Sequence, residues 1–390
     1  MDHIEKAALA YPELAEKYTE LGGFYERKLW HQLTGALSTF LHEEANRRED
    51  NFILLYSNFI SKFEGKLNQL ELAKLMGPVV ASFPDAESKY KFIDDLLEKT
   101  VRLGSDATLL ITLLRLNVKL QSRATDGTPE SRSAQMLELK KEMEAKKVEV
   151  DALSGVADTV IHATFFELAA EYYKDAGPPE EYYKHALMLL SYSSIDSMNP
   201  EKAVKIAKDM SLAALSGDGL YNFGEVLATP IVAVLDNTPH AWLGEMLRIF
   251  NRGDITQFAL LYDANKTAIE AEPAIFYRMD FIKEKLILLA LMNFVFETPS
   301  EERTIPFPAV AAHCQITAEQ VEWVAMKAMS LGLIKGSMDE VDQTLTVDWV
   351  QPRVLDNSQM KHLADRLGGW AEKVKQTSHF IEDQTLELGI

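Results

Sequence analysis

Apolar residues recur at helical spacing over most of the chain, and polar breaks divide them into pairs of helices. One pair has a Gly-Pro-Pro break at 177–179, with flanking apolar faces made of Phe165, Leu168, Ala169 and Tyr172, then Tyr183, Ala186, Leu187 and Leu190. Similar pairs are predicted at 52–63 with 70–81 and at 88–103 with 106–121. A helix pair that cannot bury its apolar face alone stacks on its neighbours. The pattern therefore predicts a helical-repeat, tetratricopeptide-like solenoid as far as about residue 297.

A different pattern follows at 305–354, where two short helices are predicted before a hairpin. Pro308 fits the first turn of a helix that ends at Cys314, because a missing N–H costs nothing there. Thr317 and Gln320 have the spacing of a capping box that opens the second helix. That helix has one apolar face, made of Val321, Val324, Ala325 and Ala328.

Gly332 fits the position after the second helix, where a left-handed backbone is favoured. Residues 333–336 and 345–350 are then predicted to be strands, the second with apolar residues at alternate positions. Helix, turn, helix and hairpin is the order of a winged-helix module. Strands are predicted only in this wing, so the predicted fold class is all-α.

The last predicted helix carries an apolar seam and begins beyond Gln351 and Pro352. The seam follows the alternating three-and-four spacing of a coiled coil and consists of Met360, Leu363, Leu367, Trp370, Val374, Thr377, Ile381 and Leu388. Polar Gln384 interrupts it between the last two. A free amphipathic helix of this length predicts a groove on a partner protein. Packing of the helix back onto its own domain is the alternative.

The charge of the chain argues against nucleic-acid binding. The formal net charge is −19, and residues 300–355 contain eight acidic and four basic residues, a net charge of −4. A winged helix that reads DNA needs Lys and Arg on its second helix and wing, because phosphate neutralisation supplies most of the affinity. The second helix and the wing tip are instead acidic, with Glu319, Glu322, Asp339, Glu340 and Asp342. A nucleic-acid-binding winged helix remains an alternative.

Composition predicts a soluble intracellular protein. The chain is 47% hydrophobic and 25% charged, which is typical of a globular protein with a sizeable core. Its one cysteine, Cys314, excludes an intrachain disulfide and predicts a reducing compartment. Residues 1–20 lack the apolar core of a signal peptide. The most apolar run, 286–296, is shorter than the roughly 20 residues that a membrane span requires.

The sequence offers no convergent set of catalytic or ligand residues. His42-Glu43-Glu44-Ala45-Asn46 begins like a zinc motif, but Asn46 stands where the second histidine ligand is needed. Cys314 follows His313 directly, and neighbours on a helix point about 100° apart, so they do not form a nucleophile–base pair. Residues 216–219 lack the third glycine and the preceding strand of a dinucleotide-binding motif. We predict no catalytic, cofactor-binding or metal residue, and no enzymatic activity.

Several sequence strings, spread over nearly the whole chain, match one family. The strings at 333–342 and 349–355 resemble the end of a PCI domain, and further matches lie at 28–33, 56–60, 221–225 and 326–330. The chain thereby resembles the PCI-domain non-ATPase lid subunits of the 26S proteasome regulatory particle. The resemblance implies that the C-terminal helix enters a bundle, shared with other lid subunits, that nucleates assembly.

Pattern and resemblance together predict PCI architecture: a solenoid, a winged helix and a C-terminal helix. The predicted parts are N-terminal repeats at 1–170, a PCI domain at 171–355 and an amphipathic helix at 356–390. Within the PCI domain, repeats extend to about 297 and the winged helix covers 300–355. No element is predicted with defined ends between 125 and 150.

The predicted function is that of a non-catalytic scaffold of the lid, supporting ubiquitin-dependent degradation in cytoplasm and nucleus. Its partners would be other PCI-containing and lid subunits in a hetero-oligomer, without cofactor, nucleic acid or membrane. The wing edge would pair with a neighbouring sheet, and the predicted contact residues are Val347, Trp349, Leu363, Leu367, Trp370, Val374 and Ile381. A PCI subunit of the signalosome or of the translation initiation factor scaffold is the alternative.

Overall fold

The computed structural model describes residues 11–43, 46, 51–99, 104–122, 129–153, 159–194, 198–299, 303–354 and 357–387. The chain divides into two compact units, Met1–Ser194 and Ile195–Ile390. Residue 171, the predicted start of the PCI domain, lies inside a helix of the first unit. The units are described separately below.

The described part of the first unit is helical. Its α-helices are α1 (Ala15–Glu26), α2 (Trp30–His42), α3 (Asn51–Asn58), α4 (Gln69–Ala81), α5 (Ala86–Lys99), α6 (Ser105–Ser122), α7 (Pro129–Asp151), α8 (Thr159–Ala176) and α9 (Pro179–Tyr192). Consecutive helices pack on one another, and α6 lies against both α4 and α8. The helix pairs that the apolar spacing predicts are present in the described residues, and positions 100–103 of the predicted helix at 88–103 lie outside them. The region between 125 and 150, where no ends are predicted, contains most of α7.

The α8–α9 pair is joined by a ladder of aromatic rings. In order along the ladder lie the rings of His162, Tyr192, Phe166, His185 and Tyr173, with centroids 4.9, 5.7, 5.8 and 5.0 Å apart. Burial lowers the pKa of His185, and the nearby Lys147 lowers it further. The His185 Nδ1 is buried without a hydrogen-bond partner. The ladder therefore favours a neutral imidazole.

The second unit begins with helices that surround a buried apolar helix. They are α10 (Pro200–Ser216), α11 (Gly224–Ala228), α12 (Ala241–Arg252), α13 (Ile255–Ala264), α14 (Lys266–Glu270), α15 (Pro273–Phe276) and α16 (Met279–Glu297), with a 3-10 helix at Pro230–Asn237. Asn199 caps α10, accepting a hydrogen bond from the Glu201 N–H at 3.0 Å. Most residues of α16 from Ile282 to Val295 are buried, so the most apolar run of the chain is a core helix.

The corner after α10 is packed around a buried lysine. Lys285 of α16 is 1% exposed, and its Nζ donates to the carbonyls of Ala214 and Gly217 at 2.7 and 3.0 Å. The same Nζ lies 5.5 and 5.1 Å from the ring centroids of Tyr221 and Phe223, which are buried. The cation satisfies carbonyls at a helix C-terminus, where positive charge is favoured. These aromatic residues therefore serve as core.

The winged module contains α17 (Phe307–Cys314), α18 (Ala318–Ser330) and strands β1 (Thr304–Pro306), β2 (Ile334–Asp339) and β3 (Thr344–Val350). Pro308 lies in the first turn of α17, and Thr317 and Gln320 form the predicted capping box of α18. Gly332 has φ +70°, and the Leu333 N–H donates to the Ala328 carbonyl at 2.9 Å, so the helix ends as predicted. The predicted apolar face of α18 is buried.

The prediction of strands only in the wing is wrong, because β1 precedes both helices of the module. The sheet order is β1-β3-β2, with both pairings antiparallel and Thr304 opposite Thr346. Three residues that end in a proline are too few to show strand alternation in a sequence. The consequence is that β3 is the central strand and β2 is an edge strand.

The last described element is α19 (Asn357–Glu387), a helix of 31 residues. Every side chain of α19 that the structure describes is exposed. The all-α class, with repeats followed by a small winged module and a terminal helix, is thus confirmed.

Candidate protein-interaction site

Arg353 and Val354, which lie between β3 and α19, are held by other residues of the second unit. The Val354 N–H donates to the Asn222 Oδ1 at 3.3 Å, and the Arg353 Nη2 donates to the Asn251 carbonyl at 3.2 Å. Val354 also lies directly over Gly224, where an added Cβ would come within 2.7 Å of the Val354 Cβ. The chain therefore leaves the module at a fixed point before α19 begins.

The seam of α19 is exposed along its described length. We define the C-terminal seam as Met360, Leu363, Leu367, Trp370, Val374, Thr377 and Ile381. Trp370 is 67% exposed, and the other large apolar members are between 45% and 58% exposed. Of the seam predicted from sequence, Leu388 lies outside the described residues. The alternative that this seam packs back onto its own domain is not what the structure shows.

The exposed seam carries a large unfavourable contact with water. Burial of one Leu, Val or Ile side chain contributes about 1.5–3 kcal/mol. Exposed Phe380 lies next to Ile381 but off the three-and-four spacing, so the periodicity does not find it. An apolar surface of this length on one helix is typical of a helix that docks on a partner.

The structure separates the two residues predicted for the wing. Val347 is 2% exposed, and its backbone pairs with Gly336 on one side while its N–H donates to the Arg303 carbonyl on the other. Its side chain belongs to the core of the module, which removes Val347 from the candidate surface. Trp349 is partly exposed, and the Lys335 Nζ lies 4.9 Å from its ring centroid.

One of the two edge strands of the sheet is β2, and the other is the three-residue β1. In the described part of the chain, β2 pairs with β3 along one side from Ile334 to Asp339 and has no strand on its other side. We call that outer side of β2 the wing edge. Its unpaired N–H and C=O groups can accept another strand. The prediction instead names Val347 and Trp349 of the central strand β3, because the pairing of β1 with β3 cannot be foreseen from sequence.

The cysteine weighed for catalysis is unsuited to it, and residues 44 and 45 of the zinc-like motif lie outside the described residues. Cys314 is buried, and burial raises the pKa of its thiol to about 12, so the reactive thiolate is disfavoured. Among the described residues, no group of three or more His, Cys, Asp or Glu side chains could hold a metal ion. No described helix is long and apolar enough to cross a membrane.

Comparison with known proteins identifies the family. One family model, described as PSD13 N-terminal repeats, matches residues 17–247, and another, described as PCI domain, matches 261–349. The 26S proteasome non-ATPase regulatory subunit 13 homolog B of Arabidopsis thaliana is 34% identical over 393 residues, covering 100% of this chain and 98% of that protein. The chain belongs to the family of 26S proteasome non-ATPase regulatory subunit 13.

Two further members of the subunit 13 family match over almost their full length. The Dictyostelium discoideum 26S proteasome non-ATPase regulatory subunit 13 is 32% identical over 388 residues, covering 100% of this chain and 98% of that protein. The Saccharomyces cerevisiae 26S proteasome regulatory subunit RPN9 is 29% identical over 381 residues, covering 96% of this chain and 94% of that protein. The resemblance drawn from sequence strings is confirmed.

The translation factor alternative receives a weaker match. Eukaryotic translation initiation factor 3 subunit M of Nematostella vectensis is 25% identical over 188 residues, which cover 48% of this chain and 47% of that protein. Subunit 13 relatives match from end to end, whereas this factor matches about half. The comparison therefore favours the proteasome family over the sister assembly.

Proposed function

We propose that this chain is a non-catalytic scaffold subunit of the lid of the 26S proteasome regulatory particle. In that role it supports lid assembly and, through it, ubiquitin-dependent protein degradation. One observation carries the proposal: the C-terminal seam is exposed from Met360 to Ile381 in a chain whose full-length relatives are proteasome regulatory subunits.

The C-terminal helix is the main assembly element in this proposal. The seam has coiled-coil spacing, so it fits a bundle formed with helices of neighbouring lid subunits. Arg353 and Val354, which precede the helix, are held by other residues of the second unit, so the chain approaches α19 from a fixed point. A fixed exit lowers the conformational freedom that is lost when the helix enters the bundle.

The wing edge is the second assembly element. We infer that β2 adds a strand from a neighbouring PCI-containing subunit, with Trp349 and Lys335 on the flanking surface. Backbone pairing supplies affinity in such a contact, and side chains beside the edge supply specificity. The PCI region then has two functions, since its core positions α19 and its edge binds a neighbour.

Other parts of the proposal follow from the same role. The chain acts as a hetero-oligomeric subunit in cytoplasm and nucleus, without catalysis, cofactor, nucleic acid or membrane. Its net charge of −19 and the acidic side chains of α18 support the exclusion of nucleic acid. The buried thiol of Cys314 supports the absence of cysteine-based catalysis.

Deletion of the residues after Asp356 tests the proposal. Because every described side chain of α19 is exposed, the truncated chain should keep its thermal unfolding midpoint. It should nevertheless fail to co-purify with lid subunits from its native cell. Normal co-purification of a folded, truncated chain would refute the assembly role of α19.

A further inference from the structure

The outward face of α18 carries an apolar patch that neither the C-terminal seam nor the wing edge uses. Trp323 is 53% exposed and Met326 is 47% exposed, and they are three residues apart on one face of the helix. The opposite face is buried in the module through Val321, Val324, Ala325 and Ala328. A winged helix that reads DNA would have basic side chains on this outward face. Here the face is apolar.

The rim of this patch is acidic. Glu319 precedes Trp323 by four residues and Glu322 precedes Met326 by four, so both carboxylates lie beside the patch. The one basic residue within α18 is Lys327, and its Nζ is ion-paired with Glu284 of α16. The negative charge of Glu319 and Glu322 is therefore left for a partner.

The Trp323 side chain is held in place before any partner arrives. The Lys327 Nζ lies 5.2 Å from the Trp323 ring centroid, while its ion pair with Glu284 ties it to α16. A cation over an indole face stabilises the ring position. An aromatic side chain that is already ordered loses little entropy on binding, and Trp is enriched among residues that dominate interface energies. Met326 adds an adaptable apolar contact.

We propose that Glu319, Glu322, Trp323 and Met326 form a docking surface for a helix of another protein, with apolar side chains beside Lys or Arg. We call this set the α18 patch. It runs along the helix axis, so a helix laid against it can pack its ridges into the grooves of α18. Charge complementarity selects the partner, because basic side chains on that helix would meet Glu319 and Glu322. Nucleic acid and a second copy of this chain, with its net charge of −19, would both bring negative charge to an acidic rim.

Photo-crosslinking in the assembled native complex tests this surface. Full-length chain with p-benzoylphenylalanine in place of Met326 is purified with its partners, irradiated, and the crosslinked peptides are identified by mass spectrometry. The expected product joins position 326 to a helical segment of a different protein that contains apolar residues beside Lys or Arg. A crosslink only to this chain, to nucleic acid or to an acidic segment overturns the proposal, as does the absence of any crosslink.

A pair of matched charge changes then tests the acidic rim. Glu319→Lys with Glu322→Lys reverses the rim, and Glu340→Lys with Asp342→Lys makes the same charge change at the exposed wing tip. We expect the first pair to lower the crosslink yield from position 326 about tenfold, the scale of an interface hot spot. The wing-tip pair should leave the crosslink yield within about twofold of the yield from the chain without these charge changes. Equal yields in the two pairs overturn the charge argument.

Loss of folding is separated from loss of docking by a third variant. Trp323→Ala removes an exposed side chain, so the thermal midpoint should stay unchanged while crosslinking from position 326 falls about tenfold. The C-terminal seam is intact in all these chains, so each should still co-purify with the lid. A Trp323→Ala chain that folds and crosslinks at the original yield overturns the role assigned to the indole.

Discussion

Two helices of the second unit, α18 and α19, carry apolar residues at helical spacing but use them differently. In α18, Val321, Val324, Ala325 and Ala328 are buried in the module to which the helix belongs. In α19 the seam residues have the same kind of spacing, yet every described side chain is exposed. Periodicity thus shows which face is apolar, and the surrounding fold decides whether that face is core or interface. The difference separates stability from assembly.

The largest expected contrast comes from one substitution made in both helices. Val324→Asp places an unpaired charge in the core of the winged module, so unfolding of the second unit should become easier by more than about 4 kcal/mol. Leu367→Asp changes an exposed seam residue and should alter the free energy of unfolding by less than about 0.5 kcal/mol. Denaturant unfolding of each full-length chain measures both. Similar losses of stability would contradict the division of roles.

Glycine-to-alanine changes should have opposite effects in the two regions. Gly224→Ala puts a Cβ 2.7 Å from the Val354 Cβ and 2.9 Å from the Val354 carbonyl oxygen, so the free energy of unfolding should fall by about 1–3 kcal/mol. Gly369→Ala meets no atom within 4 Å in α19 and should favour the helical state of its segment by about 0.5–1 kcal/mol. Thermal unfolding and far-UV circular dichroism would report the two effects. A Gly224→Ala change that stabilises the protein would refute the close contact between Gly224 and Val354.

A smaller effect concerns the buried His185 of the first unit. Burial is the largest cause that lowers the pKa of His185 in the folded protein. Repulsion from Lys147 and Lys184 lowers this pKa further, and attraction to Glu181 raises it. The unfolded chain therefore binds more protons, and stability decreases as pH falls through about 6.5, the pKa of an unperturbed histidine. His185→Phe keeps a ring in the aromatic ladder and should reduce this pH dependence. If the thermal midpoints of both chains change equally between pH 7.5 and 5.5, the result contradicts the buried position of His185.

The smallest expected effect is that of added DNA, because we expect the chain not to bind it. Lys327 of α18 is paired with Glu284, and Glu319 and Glu322 would repel a phosphate backbone. Duplex DNA at low salt should therefore show no gel shift with the full-length chain. A shift that weakens steeply with added salt would restore the nucleic-acid alternative.

The sequence predicts the winged module well where local chemistry dominates. The Thr317–Gln320 capping box and the Gly332 stop are decided within a few residues, and the structure contains both. The exposed seam of α19 is likewise visible as a pattern. Its exposure cannot be read from the pattern alone, because a buried and an exposed apolar stripe have the same spacing.

Features that depend on distant residues are not predictable in the same way. The strand β1 exists because Thr304, Ile305 and Pro306 pair with residues about forty positions later, and nothing local in those three residues marks a strand. Its presence makes β3 the central strand and leaves β2 as an edge strand. The helix α7 is also hard to place, because charged residues surround its buried Met136, Leu139, Met143 and Val150, and lysines occupy positions 146 and 147 between the last two.

The role of the C-terminal seam is tested most directly by matched pairs of substitutions on opposite faces of α19. Leu367→Asp with Val374→Asp introduces two carboxylates into the seam, and Gln376→Asp with His379→Asp introduces two on the other face of the helix. The measurement is the amount of lid subunits that co-purify with each tagged full-length chain. We predict a loss of about tenfold or more for the seam pair and near-normal recovery for the opposite-face pair. Equal recovery of lid subunits with both chains would contradict an assembly role for the seam.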